Sequence, residues 1–183
     1  MITVLPTVEE LEKLPMRALV SFAARTARRV SSEFRGIIAD DILDNALRYI
    51  DSVSTAHVLD EVDPASVIRA SERVVSAYEA APAGMKSIEK IRLLFSFVHA
   101  ALSAMYAILA AHNPSNSRHQ LKHAAQVVQR AVGPLESLNS EAAKVMIQAA
   151  RRDYEILLQK YGKYDKGVIG DPVDCFDDGG KGK

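Results

Sequence analysis

Between Lys90 and Leu135 the chain has no Asp and no Glu, and from Leu93 to Ala111 its only ionisable side chains are His99 and Tyr106. The inner stretch reads LLFSFVHAALSAMYAILAA, the longest apolar segment of the 183 residues. A segment of this kind has to be covered. The remainder of the chain breaks into shorter amphipathic stretches with helical spacing, which can cover it. The core candidates are mostly Ala, Leu, Ile and Val, there is no Trp, and Ala-rich packing suits helices better than strands. The expected fold is therefore all-α, a single bundle of about six helices with residues 88–112 in the middle.

The 19 residues from 93 to 111 reach the length of a membrane span. Six of them are Ala, two are Ser, and His99 sits inside, a composition that favours a buried central helix, so no membrane contact is expected. The N-terminus, MITVLPTVEELEKLP, lacks the basic-then-apolar order of a signal peptide, and the lone Cys175 leaves no intramolecular disulfide. Both points suit a cytoplasmic location. The 23 basic and 23 acidic residues cancel, so net charge names no partner.

The helices announce themselves by their caps. Thr7 and Glu10 form a capping-box pattern, and Pro15 seeds a helix whose seam is Met16, Val20, Ala23, Ala27, Val30 and Phe34. Arg17, Arg25, Arg28, Arg29 and Arg35 fall on the far side of that seam, and Gly36 can end the helix. A second helix is expected over 37–53, with Asp40, Asp41, Asp44 and Asp51 on its polar face. Asp63-Pro64 opens a third. The fourth, 87–112, carries a ribbon of small residues (Ser96, Ala100, Ser103, Ala107) on one flank. Ile91, Phe95, Val98, Leu102 and Tyr106 form the other, so one neighbour can approach closely while another packs on bulky side chains. The fifth has the seam Leu121, Ala125, Val128 and Val132. The sixth, opening at Asn139 or Ser140, has a main stripe through Ala143, Ala150 and Tyr154 and a spare ridge of Val145, Ala149 and Ile156. Residues 1–162 read as the bundle. Residues 163–183, rich in Gly and Asp, read as a flexible tail with a short anchor at Val168-Ile169.

No reactive motif emerges. His119 and His123 are four apart on a helix, a zinc-compatible spacing, but Gln120 stands where a zincin has Glu and the neighbours are basic. His99 lies on the bulky flank with no paired Ser, Cys or carboxylate, so a structural role outweighs catalysis. Cys175 sits among aspartates that disfavour its thiolate, and those aspartates lack the order of a calcium loop. No catalytic residue, metal or cofactor is expected. The arginine row is the strongest surface signal, and Arg118, Lys122 and Arg130 make a second acid-free face. Such faces can bind an acidic protein or nucleic acid, or pair internally with the Asp row of the following helix.

The run LPMRALVSFAARTARRV (14–30) resembles the opening of small, uncharacterised, Ala-rich helical proteins from bacteria, and AARRDYEILL (149–158) is similar to their closing helix. Some of these relatives are described as immunity proteins of toxin systems. The resemblance implies an all-α protein that works by binding another protein, with Arg28, Arg29, Asp153 and Tyr154 as the matching polar positions. Arg28 and Asp153 would alternatively do no more than pair where the first and last helices pack. The functional expectation is a bacterial protein-binding module of immunity type, with the arginine row and the ridge of Val145, Ala149 and Ile156 as contacts. Nucleic-acid binding and a small enzyme using His99 are the alternatives. On this reading, reversing Arg25, Arg28 and Arg29 to Glu abolishes binding and spares the helices.

Overall fold

The computed structural model describes residues 4–137, 141–162 and 168–173. The expected Asn139 or Ser140 cap and the Cys175 aspartate cluster lie outside these residues. The protein is an all-α bundle, and 81% of its described residues are helical, short 3-10 turns included. The described residues contain no β-strand, and their helices are α1 (Val8–Leu11), α2 (Met16–Ser31), α3 (Asp40–Thr55), α4 (Pro64–Ala80), α5 (Ile88–His112), α6 (Ser117–Val132) and α7 (Glu141–Tyr161).

Side-chain caps explain three of the starts. Thr7 and Glu10 close the capping box on α1, Asp63 accepts from the amides of Ala65 and Ser66 with Pro64 behind it, and Ser87 accepts from the amide of Lys90. α2 has no side-chain cap, because Pro15 occupies that position. Its first amides are instead satisfied from the far end of the chain: Met16 N–H donates to the Val168 carbonyl at 2.9 Å and Arg17 N–H to that of Ile169 at 3.1 Å. Val173 is buried, and its amide donates to the Ser54 carbonyl at 2.8 Å. The anchor at Val168-Ile169 is thus a strap across the N-terminus of α2. Gly170 permits it, with φ of +79° and the Pro15 side chain where a Cβ would stand.

α2 shares the centre of the bundle with α5, the central apolar helix expected. Every residue from Met16 to Ala27 is buried, and α2 packs against α3, α5, α6 and α7. α5 packs against α2, α3, α4 and α6 and leaves one side open. Hydropathy pointed to α5 because it is the oiliest helix. α2 can be surrounded because its small residues let neighbours close in and its arginines meet carboxylates inside. Phe34, just after α2, is wedged edge-on between Tyr78 of α4 and Phe97 of α5 at 5.8 and 6.1 Å. α5 and α6 form an antiparallel hairpin in which the Ser96 hydroxyl donates to the Ala131 carbonyl at 2.7 Å.

Candidate interaction surface

α5 has two unlike faces. The small ribbon Ser96, Ala100, Ser103 and Ala107 is fully buried, as are Phe97 and Ala104 beside it. On the opposite side, Ile88, Ile91, Phe95, Val98, Leu102, Met105 and Leu109 follow one another at intervals of 3, 4, 3, 4, 3 and 4. That is the spacing of a heptad seam. The bulky flank was expected to pack a neighbour, but in this structure it faces out. Ile88 is 66% exposed, Phe95 48% and Leu109 46%; Ile91 and Leu102 are also exposed, and Val98 and Met105 half-buried. These five exposed residues are most of the large apolar side chains left in water among the described residues. Scattered exposed apolar residues need no explanation, whereas a continuous row along one helix does.

One edge of the row is polar: Arg92, His99 and Tyr106. His99 is half-buried and its Nδ1–H donates to the Phe95 carbonyl of its own helix at 2.8 Å. Tyr106 stacks on His123 of α6 at 5.9 Å, and His123 shares a hydrogen bond with His119, Nε2 to Nε2 at 2.9 Å. The two histidines satisfy each other, and no group of three or more His, Cys, Asp or Glu side chains suited to a metal occurs among the described residues.

The arginine row is mainly internal. Arg17 and Arg25 are only 4% and 6% exposed, Arg28 and Arg29 are half-buried, and Arg35 alone is exposed. Arg25 pairs with Asp153 of α7 at 3.3 Å, and Arg29 pairs with the same carboxylate. Arg28 pairs with Asp51 of α3. Arg17 donates to the carbonyls of Ala56 and His57, and burial pulls its pKa down from the ordinary arginine value. The internal pairing with the second long helix is therefore found, at Asp51. The Asp153 partners are Arg25 and Arg29 rather than Arg28. Four of these five arginines are committed inside the molecule, so the row expected as a contact face does not face solvent.

The α7 ridge does reach the surface. Val145 is exposed, and Ala149 and Ile156 are half-buried. Near it, Arg151 binds the Glu10 carboxylate at 2.9 Å and Tyr154 donates to the Glu10 carbonyl at 3.1 Å. The Arg151 guanidinium holds the Glu10 carboxyl below its ordinary value, and burial pushes the Tyr154 hydroxyl up. Elsewhere an open cleft of about 900 Å³ runs between α3 and α4, lined by Asp41, Asp44, Arg48 and Arg73 among others. Arg48 is held by Asn45 at 2.7 Å. The lining mixes both signs.

No family model, curated protein or solved structure matches this chain. The surface itself is then what bears on function. The candidate contacts that face water are the α5 row and the α7 ridge, joined by Arg118, Lys122 and Arg130, which are exposed on α6. The α5 row went unrecognised as a surface because length and hydropathy mark it as core. The signal that separates its faces was present in the spacing: a 3-4 row of large residues opposite a ribbon of small ones. Close packing needs only the ribbon.

Proposed function

We propose that this chain is a helical protein-binding module that acts on another protein through apolar helix faces. An immunity-type or defence-associated role is proposed on the resemblance read from the sequence at 14–30 and 149–158 alone. The observation that carries the reading is the apolar surface left open on α5 and at Val145 of α7. Exposed apolar rows of this extent are a property of surfaces that meet a partner. The experiment is photo-cross-linking in the cells that make the protein, with a cross-linking amino acid in place of Ile91 or of Val145 and a control at exposed Asp41. A discrete adduct with a different protein, seen from Ile91 or Val145 and not from Asp41, is expected. Adducts with lipid only, or none above the control, would reject the reading.

A further inference from the structure

We infer that the α5 row is the contact between two copies of this chain, packed antiparallel, which leaves the α7 ridge for the foreign partner. This rests on the reading that open apolar helix faces are the working surface here, and it assigns one of them. A seam at 3-4 spacing accepts a second helix of the same spacing, side chain into gap, and a second copy supplies that spacing by construction. The seam runs nearly the length of a 25-residue helix, on the order of 35 Å.

Antiparallel overlay about Ala100 sets Ile91 against Leu109 of the second copy, Phe95 against Met105 and Val98 against Leu102, each layer occurring twice by symmetry. No charged side chain enters any layer. At the edge, Arg92 comes within two residues of the level of Tyr106 of the second copy, on the same flank of the seam, a guanidinium near a ring. Arg92 also approaches the carbonyl end of the opposite helix, where a cation is favoured. The Glu89 end of one helix lies beside the His112 end of the other. A parallel overlay brings Arg92 to no carbonyl end and aligns the two helix dipoles instead of opposing them.

The area is sufficient. Five large side chains exposed by 37% to 66% present on the order of 500 Å² per chain, and the half-buried Val98, Met105 and Tyr106 raise the total for two chains to roughly 1,200 Å², the lower end for a stable protein interface.

Sedimentation equilibrium on the purified full chain at micromolar concentration tests this. Two chains per particle are expected, with Leu102→Glu raising the dissociation constant at least tenfold and Val145→Glu leaving it unchanged. Direction is read from mixed single-cysteine chains carrying Cys175→Ser. Phe95→Cys with Met105→Cys should form a mixed disulfide faster than either forms one with itself. A single chain per particle at 100 micromolar, a dimer indifferent to Leu102→Glu, or preferential self-disulfides would each overturn the inference. A monomer whose Ile91 cross-linker captures a foreign protein removes the second copy and keeps the binding reading. A dimer with no foreign adduct at either position does the reverse.

Discussion

Asp153 shows how much one carboxylate can organise. It receives Arg25 and Arg29 from α2 in a setting where its own side chain is 8% exposed. Without it, buried Arg25 and half-buried Arg29 would both lose this carboxylate. Asp153→Ala is therefore expected to cost about 3–5 kcal/mol, measured as a shift in the urea midpoint with the slope unchanged. Glu10 is a gentler case. Its folded pKa is depressed, chiefly by its hydrogen bond from Arg151, below the ordinary 4.5. A depressed carboxylate contributes stability above its unfolded pKa and loses that contribution as the pH falls through the folded one. Glu10→Gln should thus lower stability modestly at neutral pH and flatten the acid limb below pH 4.5, read from thermal unfolding across pH. The pair is about a quarter exposed on each side, so the neutral-pH difference should be small.

At the scale of elements, α2 joins α5 at the centre, although its arginine row marks it in the sequence as a surface helix. α2 carries the arginines and is surrounded; α5 carries the longest apolar run and keeps one side open. The start of α2 depends on a segment more than 150 positions away, since Val168 and Ile169 supply the carbonyls that its first amides need. Gly170 sits in the left-handed region, with Pro15 Cβ 2.6 Å from where its own Cβ would be. Gly170→Ala should cost about 1–2 kcal/mol from the backbone conformation alone, with more from the clash. Hydrogen exchange would show it as faster exchange at Met16 and Arg17, with the amides in the middle of α5 little changed.

For the molecule as a whole, the internal arginine pairs tie α2 to α3 through Asp51 and to α7 through Asp153. Reversing Arg25, Arg28 and Arg29 to Glu would then place buried carboxylates against carboxylates. The expected result is loss of the folded state, seen as a collapse of cooperative unfolding by circular dichroism, rather than a folded protein that has lost a partner. A variant that kept its unfolding transition would show the pairs to be dispensable. Tests of binding belong on Ile91, Leu102 and Val145, whose side chains already face water.

Much of this fold was written locally. Capping at Thr7, Asp63 and Ser87, the breaks at Pro15 and Gly36, and the apolar seams of α2, α4 and α6 are short-range features, and short-range physics is enough to recognise them. The anchor at Val168-Ile169 was legible as an apolar pair in a polar stretch, though not its receptor. Which face of α5 met the core, where the arginines went, and how deeply α2 was buried depended on pairings across the chain. Arg25 and Asp153 are 128 positions apart. An arginine row reads the same whether its carboxylates come from solvent-facing neighbours or from a helix folded back upon it, and burial follows from that pairing rather than from hydropathy. The α5 row is the converse: apolar residues stay in water when the ribbon behind them has already taken the contacts the core can offer.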